Sequence, residues 1–342
     1  MPTPTPVRPA FATQSVTHDP DDPAIWVHPT RPELSLILGT DKEEVVGGLF
    51  VFDLNGRILQ HIPNLNYPNN VDVVEGFLLG GKRVDLAVLT ERESSRLRAF
   101  AIDPATRRLR DVSGDLDVFV GQPDGHSKPM GIALYKRPQD GAVFAILSRK
   151  SGPINGYLWQ YQLKDDGTGR VKAHKVREFG QFSGQKEVEA IAVDAERNAV
   201  YYSDELFGVR KYAANPDTPG ANRELALFAL DGYPRDREGI AIYKRNDGTG
   251  YILVSNQIPN ASRINVYRRE GTRQDPHDHR ETVKVVATGA DSTDGIEATS
   301  RNLGPRFPNG IVVVMNSKDR NFLVYKWEDF ALAGSEKLKV GR

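Results

Sequence analysis

Six segments of this sequence share one pattern, in which a single residue opens a short strand of small apolar residues. Four of the opening residues are acidic and a fifth is an amide. The six openers are Asp22, Asn70, Met130, Glu189, Glu238 and Asp294. The neighbouring Asp21, Asp72 and Asp236 add further carboxylates. Carboxylate and amide oxygens, without histidine or cysteine, are the ligands that Ca²⁺ prefers. The openers therefore predict several bound calcium ions, provided that the fold brings them together.

A second set of side chains follows the next apolar strand of each repeat. In the first three repeats this residue is basic, and in the last three it is an acid or an amide. In chain order the six residues are Lys42, Arg92, Lys150, Glu205, Gln257 and Asn316. One basic and one acidic half suit a metal cluster beside a polyanion, because phosphate oxygens bind both to cations and to Lys or Arg donors. Arg237, between Asp236 and Glu238, is a further candidate phosphate ligand.

The spacing of the openers predicts the fold that positions these residues. Successive openers are 48 to 60 residues apart, and each is followed by a second strand and then by a third with an aromatic residue. A repeat of this length fits one four-stranded blade. We therefore predict an all-β fold, a six-bladed β-propeller with four-stranded blades around a central channel. The first strand of each blade would line the channel, so that the openers face one another at one rim.

Residues 15–342 are predicted to form this propeller as a single domain, after a flexible N-terminal extension at residues 1–14. The start, Met1 to Pro6, has no apolar stretch typical of a signal peptide. We interpret it as a start methionine before a mature Pro/Thr-rich N-terminus, from which a signal peptide has been removed. This interpretation predicts a secreted or periplasmic protein. A closed propeller needs no partner, so we expect a monomer.

Composition excludes several classes of function. The 45 basic residues balance the 45 acidic ones, and no basic stripe suggests a nucleic-acid partner. No apolar run is long enough to span a membrane. The chain has no cysteine, which excludes disulfides, thiol catalysis and zinc–thiolate sites. We find neither a Gly-x-Ser-x-Gly nucleophile motif nor a phosphate-binding Gly-x-x-x-x-Gly-Lys loop. The histidines of the Pro276–His279 segment are predicted to lie in a surface loop.

Several motifs resemble those of the β-propeller phytases, the calcium-dependent alkaline phytases of bacteria. The most specific is Asp19-Pro20-Asp21-Asp22-Pro23-Ala24-Ile25-Trp26-Val27. Others are Gly39-Thr40-Asp41-Lys42, Asn69-Asn70-Val71-Asp72, Val188-Glu189-Ala190, Ser203-Asp204-Glu205, Asp236-Arg237-Glu238-Gly239, Ser255-Asn256-Gln257 and Ser292-Thr293-Asp294-Gly295. The resemblance runs from about residue 15 to residue 328.

The resemblance implies a six-bladed propeller with two phosphate subsites, one for cleavage and one that anchors a neighbouring phosphate. It implies that catalytic calcium ions are held by Glu189, Glu205, Asp236, Glu238, Gln257 and Asp294. Phosphate would be bound by Lys42, Arg92 and Lys150, and structural or channel calcium by Asp22, Asn70 and Asn316.

Four positions depart from the family's pattern. Glu43 replaces a second lysine, Ser151 replaces an acidic residue, and Met130 replaces a tyrosine that contacts phosphate. The loop before Asp294 is short, and Asp291 is the available counterpart of one aspartate ligand. The reaction class is therefore better supported than the substrate.

Together these features predict a calcium-dependent phosphomonoesterase that hydrolyses phytate, with Glu189, Glu238, Lys42, Arg92 and Lys150 as catalytic residues. The mechanism would be metal-assisted attack of water, without a covalent enzyme intermediate. Two alternatives stay open. One is a calcium-dependent propeller lactonase or phosphotriesterase, and the other is a non-enzymatic propeller that binds calcium for stability. The order in which phosphates are removed, the number of calcium ions and the pH optimum are not predicted.

Overall fold

Short runs of β-branched and aromatic residues, separated by Gly, Asn and Asp turns, form strands along almost the whole chain. Ile311–Asn316 is typical, because all six of its residues are buried. A computed structural model describes residues 1–341. Its strands form six separate sheets, which are the six blades of a β-propeller. The predicted fold class and the number of blades are confirmed.

The N-terminal strands and the first three blades account for β1 to β14. The N-terminal strands are β1 (Thr5–Pro6) and β2 (Phe11–Ala12). Blade one contains β3 (Pro20–Trp26), β4 (Leu36–Asp41), β5 (Gly47–Phe52) and β6 (Ile58–Leu65). Blade two contains β7 (Pro68–Leu79), β8 (Lys82–Glu91), β9 (Arg96–Asp103) and β10 (Arg108–Asp111). Blade three contains β11 (Pro129–Lys136), β12 (Val143–Arg149), β13 (Asn155–Asp165) and β14 (Val171–Gln181).

The last three blades account for the remaining strands. Blade four contains β15 (Ile191–Asp194), β16 (Ala199–Asp204), β17 (Gly208–Ala213) and β18 (Ala226–Phe228). Blade five contains β19 (Ile240–Lys244), β20 (Gly250–Asn256), β21 (Arg263–Arg268) and β22 (Thr282–Ala287). Blade six contains β23 (Ile296–Thr299), β24 (Ile311–Asn316) and β25 (Asn321–Lys326), followed by helix α1 (Trp327–Leu332). Single 3₁₀ turns lie at Pro32–Leu34, Arg92–Ser94 and Ala195–Arg197.

The N-terminal segment differs from the expected flexible extension, because it completes the ring. Blade six has only three strands from its own repeat, and β2 pairs antiparallel with β25 as its fourth. Strand β1 pairs in parallel with β22 at the outer edge of blade five. The first and last parts of the chain therefore share one sheet. The unpaired edge of β25 explains why these few residues are ordered.

Six apolar clusters hold neighbouring blades together. Each cluster combines buried residues from two adjacent blades, so every one of the six interfaces has its own core. The interface that closes the ring packs Val27 and Ile37 of blade one against Ile311 and Val313 of blade six. Within residues 1–341, no helix is long and apolar enough to cross a membrane.

The inner strands of all six blades, β3, β7, β11, β15, β19 and β23, surround a central cavity of about 770 Å³. The prediction that first strands line a channel is thus confirmed. We call the end at which the inner strands begin the upper mouth. It is formed by the six openers and by the residues that follow the second strands.

Candidate functional site at the upper mouth

The second strand of each blade ends in a three-residue unit that builds the upper mouth. In blades one to five its first residue is a hydroxyl, its second is buried, and its third is a predicted site residue. The five units are Thr40-Asp41-Lys42, Thr90-Glu91-Arg92, Ser148-Arg149-Lys150, Ser203-Asp204-Glu205 and Ser255-Asn256-Gln257. In blade six the unit is Met315-Asn316-Ser317. Side chains alternate along an extended strand, so the second residue points away from the other two.

In blades one to five, the hydroxyl of the unit forms hydrogen bonds with the backbone at or beside the openers. Thr90 Oγ1 accepts a hydrogen bond from the Asn70 amide at 3.2 Å and donates to the Met130 carbonyl at 2.6 Å. Ser148 Oγ makes the same bridge from the Gly131 amide to the Val188 carbonyl. Thr40 and Ser255 also bridge in this way, and Ser203 donates to the Arg237 carbonyl. These bonds fix the openers around the ring.

The buried second residue of each unit holds a loop of the mouth. Asp41 accepts hydrogen bonds from the backbone amides of His18 at 2.9 Å and Asp19 at 2.7 Å. Glu91 accepts from the amide of Asn66 at 2.7 Å. Such carboxylates are compensated by several donors, as buried charges must be. The second residues therefore position the segments that carry the site.

A glycine after three of the openers allows neighbouring inner strands to approach closely. A Cβ atom on Gly239 would lie 2.7 Å from the carbonyl oxygen of Asp294, and one on Gly131 would collide with the carbonyl of Glu189. Any larger residue would push adjacent openers apart. Gly131, Gly239 and Gly295 are therefore required by the close packing of the inner strands.

One group of site carboxylates surrounds the ammonium of Lys42. Lys42 Nζ lies 2.5 Å from Asp21 Oδ1, 3.7 Å from Asp294 Oδ2 and 3.9 Å from Glu189 Oε1. Asn69 Nδ2 donates to Asp21 Oδ2 at 3.1 Å and to Glu189 Oε1 at 2.5 Å. We call this set the Lys42 group. The Lys42 ammonium is therefore occupied by ion pairs with these three carboxylates.

The other group surrounds Lys186, which no pattern in the sequence indicated. Lys186 Nζ lies 2.5 Å from Asp236 Oδ2, 2.8 Å from Glu238 Oε1 and 2.9 Å from Glu205 Oε2. We call this set the Lys186 group. Glu189 links the two groups, because single carboxylate oxygens of Glu189, Glu205 and Glu238 all lie within 4.8 Å of one another.

If all of these carboxyl groups were ionised, they would carry more negative charge than the two lysines neutralise. Burial, reinforced by Glu238 and Glu189, raises the pKa of Glu205 to about 10. Burial and the Glu189 carboxylate raise the pKa of Glu238 to about 8. Burial would also raise the pKa of Glu189, but Lys42, the Asn69 amide and Arg92 outweigh it and lower that pKa.

Three oxygens of the cluster have no hydrogen-bond partner. They are both carboxylate oxygens of Glu205 and Oε2 of Glu238, and all three are buried. Glu205 Oε2 is close to the Lys186 ammonium but is not aligned for a hydrogen bond. Buried polar atoms are rarely left unpaired in native proteins, so such atoms mark a position for a ligand.

The Lys42 group contains two further buried carboxyl groups. Burial raises the pKa of Asp21 to about 7, although Lys42 opposes the rise, and burial also raises the pKa of Asp294. Gln257 donates a short hydrogen bond to Asp294. Buried carboxyl groups therefore lie on both sides of Glu189.

The basic half of the mouth lies at blades two and three. Arg92 is buried, stacks its guanidinium 3.5 Å from the centre of the Tyr67 ring, and donates to Asn69 Oδ1 at 3.2 Å. Lys150 Nζ is paired with Glu187 at 2.6 Å and 44% of its side chain is exposed. Lys128, paired with Glu93 at 2.6 Å, adds a third cation that the sequence pattern missed. These cations lie beside the acidic clusters.

Three of the predicted calcium ligands, Asp22, Asn70 and Asn316, lie outside the two lysine groups. Asp22 and Asn70 line the channel cavity below them. Asn316 is a buried second residue of its unit, and its amide bonds the Asp291 backbone, Asp319 and Asn321.

Arg237 points away from the mouth. It donates to the carbonyl oxygens of Ala229 at 2.6 Å, Glu205 at 2.8 Å and Leu230 at 3.0 Å. Its guanidinium is thus occupied by backbone, and we do not include it among the candidate phosphate ligands.

The departures from the family's pattern have visible local roles. The Met130 sulfur lies 3.2 Å from Arg92 Nη1, where a thioether is a weak acceptor. The Glu43 carboxylate accepts a hydrogen bond from the next amide of its own turn. Asp291 Oδ1 accepts from the Asn260 amide.

Comparisons with known proteins agree with this architecture. The family model described as Phytase matches residues 6–341. A 3-phytase of Bacillus subtilis (strain 168) is 30% identical over 321 residues, which cover 91% of this chain and 80% of that protein.

Solved structures with similar backbones are more distant. The β-propeller domain of Myceliophteria thermophila Cps50 (Swd1) has a TM-score of 0.47 and 10% identity, covering 93% of this chain and 86% of that one. A BBS1N structure in complex with ARL6DN has a TM-score of 0.44 and 12% identity, covering 84% and 74%. Neither likeness adds to the assignment, which depends on the match along the sequence. Because the Phytase model matches nearly the whole of this chain, the chain belongs to the phytase family.

Proposed function

We propose that this protein hydrolyses phytate, myo-inositol hexakisphosphate, with the help of bound calcium ions. It would release inorganic phosphate and lower inositol phosphates. One observation carries the proposal beyond family membership. Three buried carboxyl oxygens of Glu205 and Glu238 without hydrogen-bond partners lie in an acidic cluster beside the cationic side chains of Arg92, Lys128 and Lys150. A polyanionic substrate and a divalent cation together would satisfy both halves.

The donor set of the mouth fits calcium. All candidate ligands offer carboxylate or amide oxygens, which hard cations prefer, and none offers nitrogen or sulfur. The proposed ligands of the catalytic ions are Asp21, Glu189, Glu205, Asp236, Glu238, Gln257 and Asp294. Asp22 and Asn70 are proposed to hold an ion lower in the channel, because both line its cavity.

The protein's own residues would bind and orient the substrate. When bound, calcium would lower the pKa of a coordinated water and neutralise phosphate oxygens. Arg92 offers a preoriented guanidinium, stacked on Tyr67, that can donate two parallel hydrogen bonds to one phosphate. Lys150 offers a more exposed ammonium beside it. Phosphoryl transfer depends mainly on such positioning and charge stabilisation.

Lys42 would act differently from the other two cations. Its ammonium lies among Asp21, Glu189 and Asp294, which together raise its pKa, although burial opposes this. It therefore stays charged and holds three carboxylates in place. We propose that Lys42 contacts a phosphate only when a phosphate group of the substrate reaches the Lys42 group.

The lactonase or phosphotriesterase alternative is less well supported. Catalysis on neutral esters needs an apolar pocket for the substrate, whereas Arg92, Lys128 and Lys150 surround this mouth with positive charge. Phosphate release from phytate, measured with Ca²⁺ and with excess EDTA, tests the proposal. Release that requires calcium supports it. Hydrolysis of a lactone or a phosphotriester without release from phytate would contradict it.

We also propose a monomer that works outside the cytoplasm. Each blade already buries both of its faces against neighbouring blades of the same chain. Calcium sites of modest affinity are filled at extracellular calcium concentrations. Light scattering and cell fractionation test these two points. The name of the 3-phytase relative suggests specificity for one position of the inositol ring. Identification of the first inositol phosphate released from phytate tests this point.

A further inference from the structure

The loop between β14 and β15 sends two oppositely charged side chains into the two halves of the mouth. Lys186 reaches the acidic half, and the next residue, Glu187, reaches the basic half. Each makes contacts that a substrate complex would need for itself. Each of the two side chains is thus opposite in charge to the half of the mouth that it contacts.

The Lys186 ammonium lies among the carboxyl groups that are proposed to bind calcium. It contacts Asp236, Glu238 and Glu205 within 2.9 Å, and the last two belong to the group of three converging glutamates. The ammonium carries one charge and donates hydrogen bonds to Asp236 and Glu238, but both Glu205 oxygens are left without a hydrogen-bond partner. It neutralises the cluster only in part.

The Glu187 carboxylate lies at a position proposed to bind a phosphate of the substrate. The carboxylate lies 2.6 Å from Lys150 Nζ, and Lys150 is a proposed phosphate ligand. A carboxylate and a phosphate offer a lysine the same kind of contact, a charged oxygen that accepts a hydrogen bond. The pair therefore blocks the ammonium until a stronger anion replaces Glu187.

The hydrogen bonds that hold the backbone of this loop do not involve its two charged side chains. Ser183 donates from its amide and its hydroxyl to Asp204, at 2.8 Å and 2.6 Å. The Glu205 amide donates to the Glu187 carbonyl at 3.2 Å. The Lys186 side chain is nevertheless 34% exposed. It can turn into solvent without unfolding the loop.

We propose that Lys186 and Glu187 are internal placeholders, which occupy the positions of a calcium ion and a substrate phosphate until these bind. This inference rests on the proposed function. Calcium binding must displace the Lys186 ammonium, and phosphate binding must displace the Glu187 carboxylate.

The test for Lys186 is calorimetric titration of Ca²⁺ into chelator-treated Lys186→Met, with the unmutated protein and Lys172→Met as references. Lys172 is an exposed lysine of β14. We expect Lys186→Met to bind calcium about tenfold more tightly, because the competing cation is gone. Its melting temperature should fall in EDTA and recover with calcium. Lys172→Met should behave as the unmutated protein does.

The test for Glu187 uses inorganic phosphate as the ligand of the calcium-loaded protein. Glu187→Gln should bind phosphate up to about fivefold more tightly, the upper range for loss of one partly exposed ion pair. Circular dichroism spectra check that each variant is folded. Weaker phosphate binding by Glu187→Gln would mean that Glu187 helps to form the site, and would overturn its placeholder role.

The outcomes separate this inference from the proposed function. Calcium binding by the unmutated protein, with equal affinity in Lys186→Met, overturns the inference alone. Weaker binding by Lys186→Met also overturns it. If neither protein binds calcium, both the inference and the calcium-dependent function fail.

Discussion

Replacing Glu205 by glutamine should stabilise the calcium-free protein and weaken its response to calcium. The Glu205 side chain is fully buried, and neither of its oxygens has a hydrogen-bond partner. Glutamine keeps the shape and one oxygen but carries no charge. In the absence of calcium it replaces a carboxyl group whose charged form is disfavoured by burial and by Glu238 and Glu189, and in the presence of calcium it removes a charged ligand.

The size of the effect follows from proton binding. The pKa of Glu205 rises from its ordinary value of 4.5 to about 10, chiefly through burial. At pH 7 the folded protein therefore keeps a proton that the unfolded chain releases, which costs about 3 kcal/mol. This cost is absent below pH 4.5 and grows as the pH rises toward 10. Burial of the new amide offsets part of the gain, so we expect about 1–3 kcal/mol, or roughly 2–6 °C.

Scanning calorimetry in EDTA at pH 4, 7 and 9 measures this effect, with a second series in saturating Ca²⁺. Glu205→Gln should melt above the unmutated protein at pH 7 and 9, with little difference at pH 4. Calcium should raise its melting temperature less. Glu281→Gln is the control, because that glutamate is 70% exposed. A variant that melts lower in EDTA at pH 7 and keeps the full response to calcium would refute the reasoning.

Three further predictions test other parts of the structure. Arg92→Ala and Lys150→Ala should each lower kcat/KM for phytate at least tenfold, about 1.4 kcal/mol; unchanged kinetics would remove that residue from the site. Burial raises the pKa of Glu297 in the channel to about 8, so Glu297→Gln should raise thermal stability above pH 8 but not near pH 4.5. An equal melting temperature of the two proteins at pH 9 would argue against this. Thr90→Val removes the bridge between Asn70 and Met130 and should cost about 1–3 kcal/mol in chemical denaturation; no loss would mean that the bridges do not hold the ring.

The repeat in the sequence predicted the fold and the arrangement of the mouth because both depend on residues at equivalent positions. Lys42, Arg92, Lys150, Glu205 and Gln257 occupy the third position of their units. Equal positions in equivalent blades meet at the same end of the channel. Asn316 differs from these residues, because it occupies the second position of its unit, where a side chain turns into the blade.

What the repeat could not predict lies in irregular segments or depends on closure of the ring. Lys186 and Glu187 are in an irregular loop between β14 and β15, so only the folded chain brings them to the mouth. The strand at Phe11–Ala12 is too short to be recognised, and blade six needs it only because its own repeat supplies three strands. His279, predicted to lie on the surface, is buried 2.9 Å from the Lys211 ammonium.

The calcium dependence of phytate hydrolysis by Glu189→Gln, Glu238→Gln and the double variant tests the central claim most directly. Glutamine keeps one oxygen ligand but removes a charge, so each single variant should lose most activity at limiting calcium and regain part of it at higher calcium. Since both residues belong to one cluster, their combined effect should be far smaller than the sum of the two free-energy changes. Full hydrolysis by each single variant at every calcium concentration would contradict the proposal that these carboxylates hold the catalytic ions.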